Sequence, residues 1–260
     1  MSAERNDLRR IALLNGDCLA EQLKGAELPL ERIIFREALV SGPLGGASWG
    51  EFWETRVGFL TQNYGATVHE VQEKTVAELE KIRSLADGVE LSLWFEDDLF
   101  CQVNLWFILS LLAEKHKYRL FRVFPPGSTR ANQWKGFGAA AVSSLEEAYR
   151  ARVPFYPSDV AIGNGLWKAY RSQDWALFKN LSYLVSPCFN SLEEVCQAQL
   201  DRLPGSDGLG KPEQILKGIL AGGTTDFPLV FKEFTRQAGI YGFGDLQVKA
   251  LIASLLKGKD

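Results

Sequence analysis

The sequence predicts an α/β protein, with an N-terminal doubly wound, mainly parallel sheet followed by an all-helical C-terminal region. Two observations favour this fold class. In the first half, short apolar runs alternate with longer helical segments, which is typical of strands joined by crossover helices. After a glycine-rich bend at residues 134–138, apolar residues recur almost entirely at helical spacing. We therefore expect a Rossmann-like domain over residues 1–135 and a helical domain over residues 136–260.

The strands of the first region are predicted from apolar runs that turn residues or glycines bound. They lie at residues 10–14, 32–35, 89–95 and 118–124. The first run ends at Asn15-Gly16-Asp17, and the last is stopped by two prolines and a glycine. Runs of this kind indicate buried strands of a parallel sheet.

The helices of the first region are expected at residues 18–24, 49–64, 68–85 and 99–115. Asp17 is placed to cap the first of them, because its carboxylate can accept hydrogen bonds from N–H groups of the first turn. Beyond the bend, helices are expected at residues 145–150, 158–171, 174–184, 192–203, 212–220, 227–237 and 245–256.

The last four of these helices form a weak repeat of helix, glycine turn and helix. Each unit is a candidate helix-turn-helix-like pair, although plain α-hairpin packing gives the same pattern. The outer faces are not basic and the net charge of the chain is −3. Nucleic acid is therefore not expected as a partner.

Composition places the chain among ordinary globular proteins, with 46% hydrophobic and 23% charged residues. No apolar run reaches the roughly 18 residues that a membrane-spanning helix needs, and the N-terminus carries no apolar leader. We expect a cytoplasmic protein without a membrane partner. The four cysteines are scattered, and neither His69 nor His116 has a neighbour at metal-ligand spacing, so a structural zinc site is not expected.

Polar and acidic residues, with one glycine among them, follow three of the predicted strands. They are Asn15, Gly16 and Asp17 after the first, Glu37 after the second, and Glu96, Asp97 and Asp98 after the third. Ligands of open parallel sheets bind beyond the carboxyl ends of the strands. The sequence therefore predicts a polar site at this edge of the sheet, provided that Glu37 does not lie within a longer second strand.

Carboxylates that converge at such an edge have two chemical uses. They can hold a hard divalent cation such as Mg²⁺, or one with a raised pKa can act as a general acid or base beside an ionised one. The candidate catalytic residues are Asp17, Glu37, Glu96 and Asp98. In the alternative interpretation Asp17 and Asp98 are helix N-caps and the acidic edge is structural.

Four further residues are candidates for binding a substrate. Asn15 and Gly16 adjoin the first strand, where a glycine lets the backbone approach a phosphate. Arg56 and Arg36 can each clamp a phosphate or pair with the acids of this edge, although an ordinary surface arginine is the alternative for each. Gln102, four residues after Asp98, is expected to face the same cleft. Cys101 lies in a first helical turn, where the helix dipole lowers a thiol pKa, but it has no evident partner histidine.

These residues resemble the motifs of the family called domain of unknown function 1835 (DUF1835). The matching positions are Gly16, Asp17, Glu37, Gly42, Pro43, Arg56, and the run at residues 94–102 with Glu96, Asp98 and Gln102. Weaker similarity extends through most of the chain. Histidine is common in that family where this chain has Asp97, so a histidine-dependent mechanism is not implied. The resemblance implies a shared fold and polar constellation, without an established reaction.

Two functions remain open from the sequence. The first is an enzyme or binder of a phosphorylated small molecule or nucleotide, with Mg²⁺ as the candidate cofactor. The second is a non-catalytic regulatory protein whose helical half binds a protein partner. Trp167, Tyr170 and Trp175 are expected to be exposed aromatic residues that suit such a contact, or a contact within the chain.

Overall fold

The sheet has five strands among the residues that the computed structural model describes, which are 8–113, 118–130 and 132–257. Their order is β2-β1-β3-β4-β5, and every neighbouring pair is parallel except β4 and β5. The strands are β1 Arg10–Asn15, β2 Glu31–Phe35, β3 Glu90–Trp94, β4 Arg119–Val123 and β5 Val153–Pro154.

The helices begin and end close to the predicted positions. They are α1 Asp17–Gln22, α2 Trp49–Tyr64, α3 Val68–Val71, α4 Ala77–Arg83, α5 Leu99–Leu112, α6 Val142–Arg150, α7 Pro157–Ser172, α8 Trp175–Ser182, α9 Leu192–Asp201, α10 Lys211–Ala221, α11 Phe227–Ala238 and α12 Asp245–Lys257. A π-helical segment, Gln72–Val76, joins α3 to α4. The predicted end of the helix at residues 99–115 and the residue His116 lie outside the described residues.

The two faces of the sheet bury separate clusters, because successive side chains of a strand point to opposite faces. Leu14 of β1 and Trp94 of β3 pack with α1 and α6 on one face. Leu13 and Leu93 pack with α4 and α5 on the other. The α1 and α5 crossovers thus cover opposite faces, which confirms the predicted doubly wound, mainly parallel sheet followed by a helical region.

The strand order reverses at β1, which lies between β2 and β3. Asn15 is in register with Phe35, and Leu14 with both Ile34 and Trp94. The carboxyl ends of these three strands therefore meet at one edge of the sheet. In doubly wound sheets, this is where ligands bind.

The helical region shares its core with the sheet region. Helix α7 packs along α5, with the rings of Phe107 and Trp167 4.9 Å apart and those of Trp106 and Tyr170 6.3 Å apart. Trp167 and Tyr170 are buried, so the prediction that they are exposed is wrong, and Trp175 is half-buried. The sequence pattern did not predict strand β5. This strand pairs with β4 and so connects the helical region to that edge of the sheet. The predicted boundary at residue 136 marks a change of secondary structure. One apolar cluster nevertheless contains residues from both sides of it.

Two local predictions need correction. Helix α1 begins at Asp17, with Gly16 as its N-cap residue and no side-chain cap, so Asp17 does not cap it. Asp98 does cap α5, since its carboxylate accepts the backbone N–H of Cys101. Within the described ranges, no helix combines the length and the apolar character that crossing a bilayer requires.

Candidate functional site

A cleft of about 520 Å³ opens at the carboxyl ends of β1 and β2, and we call it the edge cleft. Its apolar walls come from Phe35, Leu60, Val71, Phe100 and Leu246, with Tyr64 beside them. Its polar lining consists of Asn15, Gly16, Arg36, Glu37, Glu70, Lys74, Thr75 and Gln247. Of the predicted site residues, the edge cleft therefore brings together Asn15, Gly16 and Glu37.

Glu37 and Arg56 form a buried ion pair beneath the edge cleft. The Nε and Nη2 groups of Arg56 donate to the two carboxylate oxygens of Glu37 at 2.9 and 2.7 Å. The remaining donors of Arg56 bind the carbonyls of Ala38, Ser41 and Pro43. All five N–H groups are thus engaged by the protein itself. In this arrangement Arg56 holds Glu37 and the loop after β2, and it has no donor left for an anion.

Asp17 lies on the outside of the edge cleft, and Arg36 binds it. The Nε and Nη2 groups of Arg36 donate to Asp17 at 2.8 and 2.7 Å, and Nη1 donates to the carbonyl of Lys74. The hydrogen bonds from Arg36 lower the pKa of Asp17, which keeps it ionised. The two acids Asp17 and Glu37 therefore have separate arginine partners.

Glu96, Asp98 and Cys101 form a second group, the acid cluster. One ligand atom from each lies within 4.8 Å of the others, so these are the described residues that are placed to hold a metal ion. Asp98 caps α5 through a 2.9 Å bond from the N–H of Cys101. The carboxylate of Glu96 accepts the N–H of Phe137 at 2.7 Å and the thiol of Cys101 at 3.3 Å.

Two members of the acid cluster, Asp98 and Cys101, have raised pKa values. Burial raises the pKa of Asp98 to about 7, and the nearby Glu96 carboxylate adds to that shift. Burial, with the carboxylates of Asp98 and Glu96, also raises the pKa of the Cys101 thiol well above its usual range. The expectation that the helix dipole lowers this pKa is therefore wrong, because burial and like charge outweigh the dipole.

Hydrogen bonds connect the acid cluster to the edge cleft. The side-chain amide of Asn15, which lines the cleft, donates to the sulfur of Cys101 at 3.0 Å. Asn104 donates to Asn15 Oδ1 at 3.0 Å and to the backbone carbonyl of Glu37 at 2.9 Å. Asn104 is a fully buried polar residue of a mainly apolar helix, and that contrast is the signal that identifies it in the sequence.

Two buried residues fix the backbone of the 96–98 segment. Gln102 donates to the carbonyl of Glu96 at 2.7 Å, so its side chain positions the segment. Arg122 of β4 donates to Asp97 at 3.1 Å and reaches the same carbonyl at 3.3 Å. Sequence reasoning did not single out Arg122, although a charged residue within an apolar strand indicates a buried partner.

Two glycine turns from the helical region cover the acid cluster. A Cβ atom at Gly136 would lie 1.9 Å from Glu96 Oε1, and one at Gly242 would lie 1.9 Å from Asp98 Oδ1. Both glycines have positive φ angles, of 62° and 63°. Only glycine combines that backbone conformation with such a close approach. The cluster is therefore enclosed by the helical region as well as by the sheet.

No protein-family model matches the sequence, and no curated protein matches it significantly. The resemblance to the DUF1835 family stays a prediction that rests on the residue motifs alone. The geometry of the edge cleft and the acid cluster is consequently the basis for a functional proposal.

Proposed function

We propose that the chain binds a phosphorylated small molecule or nucleotide in the edge cleft and acts on it there. The observation that carries the proposal is the pairing of cationic groups with apolar walls in one cleft at the strand-order reversal. Lys74 and Arg36 line the cleft beside Tyr64 and Phe100. Its volume of about 520 Å³ lies within the usual range for small-molecule sites.

Lys74 supplies the charge for this role. Its side chain is exposed, and the ion pair that it forms among the described residues is a long one, 3.4 Å to Glu70. It lies in the π-helical segment Gln72–Val76, and such segments occur often at functional sites. Arg36 is held in place by Asp17 and by the carbonyl of Lys74. A phosphate between these two cations would gain charge-assisted hydrogen bonds.

The acid cluster supplies the chemistry in this proposal. Glu96 and Asp98 offer oxygen ligands of the kind that Mg²⁺ prefers, or a proton donor and acceptor pair. Asn15 joins them to the cleft through Cys101. Asp17 and Glu37 take part by holding Arg36 and the loop after β2.

The test is calorimetric titration of the full chain with ATP, GTP and ribose 5-phosphate, each with and without Mg²⁺. Lys74→Gln is expected to weaken binding about tenfold, the size of one charge-assisted hydrogen bond. Lys179→Gln, a matched change at an exposed lysine of α8, is expected to leave it unchanged. The proposal is refuted when no compound binds at millimolar concentration, or when Lys74→Gln has no effect.

The alternative is a regulatory protein that binds a partner through its helical region. Exposed apolar residues in the connection between α8 and α9 favour it: Tyr183 is 55%, Leu184 46% and Val185 96% exposed. Under this alternative, a double change of Tyr183 and Val185 to serine abolishes complex formation with a partner co-purified with the full chain. It leaves nucleotide titrations unchanged, which separates the two functions.

A further inference from the structure

A second cavity, of about 680 Å³, lies on the other side of the loop that follows β2, and we call it the loop cavity. The loop, residues 38–46, forms one wall. Residues from α7, α8 and α9 and from α10 form the rest, including Arg171, Trp175, Arg202 and Glu213. The edge cleft is lined by Glu37 and Ala38, at the beginning of the same loop.

Three arginines hold the carbonyl groups of this loop. Arg56 binds those of Ala38, Ser41 and Pro43 from the α2 side. From the other side, Arg202 binds that of Val40 at 2.9 Å, and Arg171 binds those of Leu44, at 2.9 Å, and Gly46. Arg171 and Arg202 therefore have fixed side chains at the wall of the loop cavity.

In the described part of the chain, the hydrogen-bond partners of these two arginines are carbonyl and amide oxygens, not carboxylates. Among the described residues, neither Arg171 nor Arg202 has a carboxylate oxygen within 4.0 Å, whereas most of the other arginines do. Nη1 of Arg171 donates to no acceptor in the described part of the chain. Fixed arginines with unused donors at a concave surface are a common arrangement for binding carboxylate or phosphate groups.

Glu213 places a carboxylate in the wall of the loop cavity. Its Oε2 atom is buried beside Gly210 and has no hydrogen-bond partner among the described residues. A buried carboxylate oxygen without a donor is costly, and a donor group of a ligand would remove that cost. The cavity thus offers donors for an anion and an acceptor for an N–H or O–H group.

We propose that the loop cavity is a second ligand site, which binds a small molecule that carries both an anionic group and an ammonium or hydroxyl group. Arg171 and Arg202 bind the phosphate or carboxylate, and Glu213 accepts a hydrogen bond from the ammonium or hydroxyl group. The half-buried indole of Trp175 covers the apolar part of the ligand. The inference does not rest on the function of the edge cleft.

The test is calorimetric titration of the full chain with three probes: inorganic phosphate, O-phosphoethanolamine and γ-aminobutyrate. O-phosphoethanolamine or γ-aminobutyrate is expected to bind, and the one that binds identifies the anion as phosphate or carboxylate. Arg171→Gln is expected to weaken that binding about tenfold, whereas Arg150→Gln, at an exposed arginine of α6, leaves it unchanged. Glu213→Gln is expected to reduce the affinity for the ammonium probes, without reducing that for inorganic phosphate.

Lys74→Gln separates this inference from the function of the edge cleft. Binding that Arg171→Gln weakens and Lys74→Gln leaves intact supports the loop cavity. Binding that only Lys74→Gln weakens places the probe in the edge cleft and overturns the second site. Failure of all three probes to bind at millimolar concentration also overturns it, whatever the nucleotide titrations show.

Discussion

At the scale of single residues, the carboxylates at the carboxyl edge of the sheet differ in their partners. Asp17 and Glu37 are each bound by an arginine, whereas Glu96 and Asp98 lie together and form no ion pair with a described residue. An arginine favours the ionised form of a carboxylate, whereas burial beside another carboxylate favours the protonated form. Accordingly, the pKa of Asp17 is lowered and that of Asp98 is raised.

Asp98 is expected to make the stability of the protein fall as pH rises. Its pKa is about 7 in the folded protein, against an ordinary value of 3.8. Between these two values the folded state holds a proton that the unfolded state has lost, so ionisation opposes folding. Asp98→Asn keeps the capping oxygen but does not titrate. Its free energy of unfolding relative to the wild type should therefore increase with pH, by at most about 1.4 kcal/mol per pH unit.

Urea unfolding of both proteins across this pH window measures the effect. Asp245→Asn is a useful control, because the hydrogen bond and ion pair with Lys249 lower the pKa of Asp245, which therefore has no pH-dependent effect on stability within this window. The stability that Asp245 contributes is present above its ordinary pKa and is lost as pH falls. Parallel stability curves for the wild type and Asp98→Asn would contradict the assignment of a raised pKa.

At the scale of elements, the connection between α11 and α12 rests on the N-terminus of α5. Gly242 makes this contact, since a Cβ atom at this position would lie 1.9 Å from Oδ1 of Asp98. A side chain at this position would push either the turn or the capping carboxylate aside. The close contact therefore joins the last helix of the chain to the helix that follows β3.

Gly242→Ala is expected to destabilise the protein more than Gly88→Ala does. Both glycines have positive φ, at 63° and 81°, so both changes cost about 1–2 kcal/mol in backbone strain. A Cβ at Gly88 meets no atom within 4 Å, whereas one at Gly242 overlaps Asp98. The overlap adds roughly 1–3 kcal/mol. Urea unfolding of the two variants gives the comparison, and equal losses would exclude the contact.

Sequence reasoning predicted those elements whose signal is local. Four strands and the polar edge followed from apolar runs and from the residues directly after them. Strand β5 has two residues, one of them Pro154, and such a strand leaves no periodic pattern. The burial of Trp167 and Tyr170 depends on α5, which is distant in sequence. Helical spacing predicts that a helix has an apolar face. It does not predict which other element packs against that face.

The sequence did not determine which residues the site residues contact. Glu37 and Arg56 are separated by 19 positions, and no local pattern distinguishes their buried pair from two surface charges. Gly136 and Gly242 are ordinary turn residues in the sequence. Their role in covering the acid cluster follows from contacts across the chain, which single-sequence patterns do not encode.

At the scale of the whole molecule, the sheet region and the helical region share one apolar core. Cluster residues from α5 pack with those of α7 and α9, and β5 pairs with β4. We expect a single unfolding transition in urea, since neither region buries its apolar face without the other. Tryptophan fluorescence and far-ultraviolet circular dichroism should give the same midpoint. Two separated transitions would show that residues 1–135 and 136–260 fold as independent domains.

Three arginines hold the loop at residues 38–46, and none of them changes charge in ordinary buffers. Guanidinium groups keep their proton throughout the accessible pH range, so we expect the hydrogen bonds that hold this loop to persist from acid to alkaline buffer. Asp98, in contrast, changes charge near neutrality. A pH profile of ligand affinity at the edge cleft would therefore report the ionisation of carboxyl groups and of the ligand, separately from any rearrangement of the loop.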